Sequence, residues 1–221
     1  MHEHDSHGGP DPVFPVFLNL SGRRCLVVGG GPVALRKTRD LAEAGARVTV
    51  VAESPLPEFA AMGSESAVSL TVRRFEPADA GGMFLVFAAT DDETVNRAVS
   101  EAARERGALV NVADRPALCD FYSGAVVKRG TLRIAVSTCG NSPAAAARVR
   151  EELEGQFGTE WAGYLDLAGT LRQRIISDGC VPEQQKREAL GWLGSREAFE
   201  LFRDSGDELI WDRLRRIISS W

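Results

Sequence analysis

LVVGGGPVALRK, residues 26–37, contains the strongest indication of how this chain folds. An apolar run leads straight into three glycines, and a proline then stands where a helix can begin. On either side, RRCLVV (23–28) and RVTVVA (47–52) predict buried strands, and residues 32–44 predict a helix that ends at Gly45. The result is a strand–helix–strand unit of about 30 residues, the length of a mononucleotide-binding half.

The same alternation continues beyond this unit. Further strands are predicted at 68–74, 84–89 and 108–113, and an amphipathic helix that starts with acidic residues is predicted at 91–107. Strands that alternate with helices indicate a parallel, doubly wound sheet. The fold class of this part of the chain is therefore α/β.

The pattern changes after residue 123. Residues 124–138 predict an antiparallel hairpin, because two alternating segments flank an Arg-Gly turn. Ser142 and Pro143 then supply an N-cap and a first-turn proline for a helix. From residue 159 onward the chain is predicted to be helical. Its last 40 or so residues place apolar side chains at helical spacing, which predicts core packing; these are Trp192, Leu193, Phe199, Phe202, Ile210, Trp211, Leu214 and Ile217.

The three glycines match a dinucleotide-binding turn. Residues 29–34 fit G-x-G-x-x-A, in which Gly29 allows the tight turn and Gly31 lets the main chain approach a pyrophosphate. The small Ala34 permits close packing of helix on strand, and the N-terminus of the helix offers unpaired N–H groups to phosphates. A dinucleotide site is the favoured interpretation, and a tight turn without a ligand is the alternative.

An acidic residue that could bind a ribose follows the second strand. Glu53, with Ser54 beside it, lies about 20 residues beyond the glycines, where such an acid is expected. A carboxylate there favours NAD over NADP, whose 2'-phosphate it would repel. The alternative is an ordinary loop acid. Arg36 and Lys37 are interpreted as a solvated helix face.

Polar residues also follow the fourth and fifth strands. The carboxyl ends of parallel strands line the ligand crevice, so Thr90, Asn111 and Asp114 should border the cofactor. Thr90 could instead cap the following helix. Asp114 is the candidate catalytic carboxylate, since an acid at the edge of a partly dry pocket can exchange protons near neutral pH. The alternative for Asp114 is a turn residue of an Asp-x-Pro sequence.

Composition excludes several classes of protein. Apolar residues make up 44% and charged residues 26% of the 221 residues, and the net charge of −5 argues against nucleic-acid binding. No apolar run approaches the roughly 20 residues that cross a bilayer, so we expect no membrane span and a cytoplasmic protein. The histidines all precede Pro10, which excludes a Ser-His-Asp hydrolase and a histidine-bound zinc in the folded body. We expect no metal site, and we interpret the tail HEHDSH (2–7) as solvated chain.

Four of these segments, taken in order, carry a resemblance. They are FPVFLNLSGRRCLVVGGGPVALRK (14–37), AATDDETVN (88–96), NVADRPALCDF (111–121) and AVSTCGNSPAAAARVREELE (135–154). Together they resemble the precorrin-2 dehydrogenase family, which includes the N-terminal part of bacterial siroheme synthases. The resemblance spans roughly residues 13–175.

This resemblance implies an activity and a domain order. Members oxidise precorrin-2 to sirohydrochlorin with NAD, several also insert ferrous iron, and they are homodimers. The family aspartate falls on Asp114, and the positions that contact the cofactor fall on Pro32, Val33, Glu53 and Ser54. The implied boundaries lie near 123 and 156: a tail (1–12), an NAD-binding Rossmann domain (13–123), a dimerisation region (124–156) and a helical domain (157–221).

The implied substrate is a tetrapyrrole with several carboxylates, which an acidic protein can bind only by concentrating positive charge locally. Arg129 is the candidate cation, and Asn111, Ser137 and Thr138 are candidate substrate ligands at the strand end and the turn before the helix. Each cation alone could equally be a solvated surface charge; the group consists of Arg115, Lys128, Arg129, Arg133, Arg148 and Arg150. An NAD-sensing regulatory module without catalysis is the alternative function, because it could use the same glycine turn.

Overall fold

A computed structural model describes residues 13–62 and 67–221, and the tail with its histidines lies outside these ranges. The chain divides into two compact units. The first runs as far as Ser123 and includes Cys139–Asn141, and the second comprises Gly124–Thr138 and Ser142–Trp221. The boundary near 156, between a dimerisation region and a helical domain, stays a prediction.

The first unit is built on a parallel sheet. Within the described ranges, five strands pair in the order β3-β2-β1-β4-β5, and every pair is parallel. Because β1 lies between β2 and β4, the strand order reverses at β1, which is the place where α/β sheets bind ligands. The predicted doubly wound α/β fold is confirmed. The strands are β1 (Arg24–Val28), β2 (Arg47–Ala52), β3 (Val68–Val72), β4 (Leu85–Ala88) and β5 (Leu109–Val112).

Helices cover both faces of this sheet, since alternate residues of a strand point to opposite sides. Cys25 and Val27 of β1 belong to one buried core, whereas Leu26 and Val28 belong to the other. The first core also contains residues of the helix Pro32–Glu43 (α1), and the second contains residues of the helix Glu93–Glu105 (α3). The helices of this unit are α1 (Pro32–Glu43), α2 (Glu58–Met62) and α3 (Glu93–Glu105), with single 3₁₀ turns at Pro77–Ala80 and Pro116–Leu118.

The predicted boundaries differ from the observed ones by a few residues. Helix α3 begins at Glu93 rather than 91, because Asp92 is its N-cap and accepts a hydrogen bond from the main-chain nitrogen of Thr94 at 2.8 Å. Helix α1 ends just before Gly45, whose φ of +79° suits glycine. The short α2 and both 3₁₀ turns had no counterpart in the sequence prediction.

The second unit begins with the predicted hairpin. Strands β6 (Ala125–Arg129) and β7 (Leu132–Val136) are antiparallel, and Gly130 lies in the turn with φ of +56°. The Ser142 hydroxyl accepts a hydrogen bond from the nitrogen of Ala145 at 3.2 Å, so its predicted role as N-cap of the next helix is confirmed.

Helices form the rest of the second unit and enclose their own core. Trp192, Leu193, Phe199, Ile210 and Leu214 are buried in it, which confirms the packing predicted for the last part of the chain. No helix in the described ranges is long and apolar enough to span a bilayer. The helices are α4 (Pro143–Gln156), α5 (Glu160–Ser177), α6 (Glu183–Leu193), α7 (Arg196–Ser205) and α8 (Glu208–Ile217).

Candidate functional site

The first two glycines of the turn are required by the protein itself. Gly29 has a φ of +130°, and a Cβ on it would overlap the carbonyl of Ala89. A Cβ on Gly30 would lie 2.6 Å from the carbonyl oxygen of Ser54 and 2.7 Å from Cα of Pro55. Main chain from two other loops therefore crowds the turn, and only glycine fits at these positions.

Gly31 has no such internal reason to be glycine. Its φ is −85°, and a Cβ on it would meet no atom of residues 13–62 or 67–221 within 4 Å. Gly31 is also the N-cap of α1, and no side chain in the described part of the protein caps that helix. The open space and the uncapped helix end fit a pyrophosphate, which a larger residue 31 would displace. Pro32 and Val33, predicted to contact the cofactor, are exposed in the first turn of α1.

The loop after β2 lies directly against the glycine turn. The nitrogen of Leu56 donates to the carbonyl of Gly30 at 3.0 Å, and Ser54 approaches Gly30 as described. Glu53 is exposed beside them, and its Oε2 accepts a hydrogen bond from Nε of Arg74 at 3.2 Å. The sequence did not identify Arg74, because the spacing between residues 53 and 74 does not show that they follow two neighbouring strands, β2 and β3.

Thr90 is held by a buried asparagine. The Asn96 amide nitrogen donates to the Thr90 carbonyl at 2.8 Å, and Asn96 Oδ1 accepts from the Thr90 hydroxyl at 2.8 Å. Asp92, not Thr90, is the N-cap of α3, so the capping interpretation of Thr90 is wrong. The sequence prediction also missed Asn96; a polar residue on the apolar face of a predicted helix was the available signal.

Asn111 points its amide at the loop that follows β5. Its Nδ2 donates to the carbonyl of Phe121 at 2.8 Å and lies 3.6 Å from Sγ of Cys119. The same sulfur accepts a hydrogen bond from the nitrogen of Val112 at 3.2 Å, and burial raises the pKa of this thiol. Asn111 therefore has a structural role in tying this loop to β5, and its role as a substrate ligand stays a prediction.

Asp114 follows the end of β5 by two residues. It is exposed, so the first unit alone does not supply the partly dry surroundings expected for it. Its φ of +57° lies in the left-handed region, which Asp and Asn tolerate better than most residues. The neighbouring Arg115 pairs with Glu93 at 3.0 Å.

Lys37 corrects the interpretation of a solvated helix face. It is half-buried, and its Nζ lies 5.6 Å from the centre of the Phe87 ring. Burial lowers the pKa of Lys37 below its ordinary value of 10.5. Phe87 in turn contacts Phe121 edge to face, with ring centres 5.4 Å apart. Lys37 thus belongs to an aromatic cluster beside the ends of β4 and β5.

Two of the three substrate ligands predicted in the second unit have hydrogen-bond partners inside that unit. The guanidinium of Arg129 donates to the carbonyls of Phe157 (2.8 Å) and Glu154 (3.3 Å), so it caps the end of α4. The Thr138 hydroxyl exchanges hydrogen bonds with the main chain of Ser142, at 3.0 and 3.1 Å, and so fixes the start of α4. Ser137, next to it, also has an interaction partner. Roles toward a substrate stay predictions for these three residues.

Other members of the proposed cation group are paired as well. Arg148 contacts Glu152 at 2.9 Å, and Arg150 contacts Glu154 at 2.7 Å. These ion pairs favour the surface-charge interpretation of the two arginines. Nowhere in residues 13–62 and 67–221 do three or more His, Cys, Asp or Glu side chains gather as they would around a metal ion.

Comparison with known proteins agrees with this geometry. A family model described as "Putative NAD(P)-binding" matches residues 16–125, and one described as "Sirohaem biosynthesis protein central" matches residues 129–156. A siroheme synthase of Thioalkalivibrio sulfidiphilus is 50% identical over 174 residues, which are 79% of this chain and 35% of that protein. A siroheme synthase of Methylococcus capsulatus is 41% identical over 173 residues, 78% of this chain and 36% of that protein.

A solved structure extends the comparison. The fold matches that of SirC, a precorrin-2 dehydrogenase, with a TM-score of 0.79 and 25% identity, over 92% of this chain and 100% of that one. The chain spans about a third of the length of the curated relatives above.

The parallel sheet with its glycine turn defines a Rossmann-type dinucleotide-binding protein. More particularly, the chain belongs to the family that comprises the precorrin-2 dehydrogenases and the N-terminal part of the siroheme synthases.

Proposed function

We propose that this chain oxidises precorrin-2 to sirohydrochlorin with NAD, in the biosynthesis of siroheme. The observation that carries the proposal is the open space at Gly31, in a turn whose other glycines are required by contacts within the protein. That space lies at the edge of the sheet where Asp114 follows β5. The matches to siroheme synthases and to a precorrin-2 dehydrogenase support the substrate class.

The residues of the first unit fit NAD. The glycine turn with Pro32 and Val33 would hold the pyrophosphate, and Glu53 with Ser54 would hold a ribose. When bound, NAD supplies the acceptor for a hydride. We infer NAD rather than NADP because a carboxylate stands at the end of β2.

Asp114 is the proposed catalytic residue. The oxidation removes one hydride and one proton from the substrate, so the site needs a group that takes the proton. Asp114 carries a carboxylate at the correct edge of the sheet, and no histidine beyond the tail competes for this role. Thr90 would contact the cofactor, and Asn111, Arg129, Ser137 and Thr138 are the residues proposed for the substrate.

Two finer statements belong to the same proposal. Insertion of ferrous iron, taken as a substrate, fits the name siroheme synthase that the relatives carry. A homodimer fits the hairpin, because in the described ranges β6 and β7 pair only with each other and each leaves an outer edge. A cytoplasmic location is proposed with them.

An anaerobic assay tests the oxidation. Purified protein is mixed with precorrin-2 and NAD, and the absorption of NADH and of sirohydrochlorin is followed. We expect both to rise together, and neither to rise when precorrin-2 is left out. Binding of NAD without any NADH formation would favour the alternative of an NAD-sensing module. A second assay follows metal uptake when ferrous ion is added to sirohydrochlorin with and without protein.

A further inference from the structure

Arg74 emerges from a turn that its neighbours hold rigid. Arg73 binds Asp79 through both ends of its guanidinium, at 2.6 and 2.8 Å, and also donates to the carbonyl of Arg74 at 2.8 Å. Asp79 accepts a further hydrogen bond from the nitrogen of Glu76 at 2.9 Å. The main chain at residue 74 is thereby fixed just after β3.

The side chain of Arg74 is exposed, and only part of its guanidinium makes hydrogen bonds within the described residues. Its Nε donates to Oε2 of Glu53 at 3.2 Å, and the two side chains are 85% and 58% exposed. Among the described residues, its Nη1 and Nη2 groups have no hydrogen-bond partner. An exposed ion pair of this kind is weak, so the guanidinium can leave Glu53 at little cost.

The two members of this pair differ in what they attract. A carboxylate accepts hydrogen bonds from ribose hydroxyls and repels a phosphate, whereas a guanidinium binds phosphate through two parallel hydrogen bonds. Glu53 belongs to the loop that contacts the glycine turn, so a ribose held by Glu53 would also lie near the guanidinium of Arg74. Nothing in the glycine motif itself identifies Arg74.

We propose that Arg74 is a specificity-determining residue of the dinucleotide site. While paired with Glu53 it orients that carboxylate for the ribose of NAD, and when the charge of Glu53 is removed it binds the 2'-phosphate of NADP. This inference rests on the proposed function, which places NAD at the glycine turn.

A double-mutant cycle tests it. Dissociation constants for NAD and NADP are measured by calorimetry on the wild type, Glu53→Gln, Arg74→Ala and the double variant. We expect the wild type to bind NAD about tenfold more tightly than NADP, and Glu53→Gln to bind NADP about tenfold more tightly than the wild type does. Arg74→Ala in the Glu53→Gln background should remove most of that gain, and salt should weaken the gain.

The control is Arg196→Ala, which removes another exposed arginine paired with a glutamate, in the second unit. It should change neither constant. Equal NADP affinity of Glu53→Gln and the double variant would overturn the role of Arg74, as would a wild type that prefers NADP. A wild type that binds neither nucleotide would instead refute the proposed function itself, and this inference with it.

Discussion

The buried amide of Asn96 on α3 makes hydrogen bonds to the nitrogen, the carbonyl and the hydroxyl of Thr90, the residue that follows β4 by two positions. One side chain thus fixes the conformation of a strand end at the ligand edge of the sheet. Since Asn96 is only 5% exposed, removal of its amide leaves the polar groups of Thr90 without these partners.

Asn96→Ala should therefore cost stability and cofactor affinity together. We expect a loss of about 1–3 kcal/mol in the free energy of unfolding, from a cavity and from polar groups left unpaired. Urea denaturation measures this loss, and an NAD titration measures the affinity. Thr94→Ala on the exposed side of the same helix is the control and should leave both quantities near wild type. An Asn96→Ala protein with wild-type NAD affinity would show that Thr90 does not depend on this support.

Substitutions at the two ends of the glycine turn should affect different properties: stability at Gly29 and NAD affinity at Gly31. Gly29→Ala should destabilise the fold by more than about 2 kcal/mol, because the new Cβ meets the main chain of Ala89 at a strained φ. Gly31→Val has open space and should cost at most about 1 kcal/mol. Its NAD affinity, however, should fall at least about tenfold, because the valine fills the space proposed for the pyrophosphate. Unchanged NAD affinity in Gly31→Val would remove the basis for a ligand in this turn.

Asp114→Asn should lower the turnover of precorrin-2 without changing the affinity for NAD. Asn tolerates the left-handed conformation of residue 114, so the fold and NAD affinity should be retained. Turnover of precorrin-2 should fall at least about 100-fold, because the amide cannot take the proton. Single-turnover formation of NADH is the measurement, with Asp212→Asn on α8 as a control for loss of an exposed carboxylate. Oxidation at the wild-type rate by Asp114→Asn would refute the catalytic assignment.

The burial of Lys37 should appear as a pH dependence of stability. Its pKa is lowered in the folded protein, so the unfolded chain holds this proton more tightly and stability gains as pH rises from the folded pKa toward 10.5. Lys37→Met, which has no charge to bury, should therefore be more stable than wild type at neutral pH. Its advantage should shrink as the pH approaches 10.5.

Urea denaturation at about pH 7 and pH 10 tests this prediction. The control is Arg39→Met, which alters an exposed position of the same helix and should show no such convergence, because an arginine stays charged throughout that range. A constant difference between Lys37→Met and wild type at both pH values would contradict the assignment.

A substitution of Arg129 distinguishes a role in capping α4 from a role in binding the substrate. If its main task is to cap α4, Arg129→Lys should lower stability by about 1–2 kcal/mol, because an ammonium cannot reach both carbonyls as the fork does. The KM for precorrin-2 should then stay near that of the wild type. Arg148→Lys, on the exposed side of α4, is the matched control. A raised KM with unchanged stability would instead favour the predicted role in substrate binding.

The sequence predicted well what depends on neighbours along the chain. Apolar periodicity and the glycines around Gly29 are local signals, so the strands, α1 and the candidate phosphate turn could be recognised directly. The pairing of Arg74 with Glu53 could not, because it depends on which strand lies beside which. The hydrogen bonds between Asn96 and Thr90 could not either, because they depend on how the loop after β4 folds back onto the first turn of α3.

The same limit explains why the surroundings of two charged side chains were not predicted. From the sequence alone, Lys37 and Arg129 are interpreted as surface cations, since a positively charged side chain is usually solvated. An aromatic ring on β4 covers the first, and the end of α4 occupies the second. Only the packed elements reveal these surroundings.

The walls of the glycine turn at Gly29 and Gly30 are peptide groups of residues 54, 55, 89 and 90, not their side chains. Mutations at Ser54 and Ala89 can therefore accumulate over evolution without reshaping the cleft, whereas the two glycines have no substitute. Related sequences should therefore keep the shape of this cleft while the side chains around it vary. Such variation can change which ligand is preferred without changing the backbone.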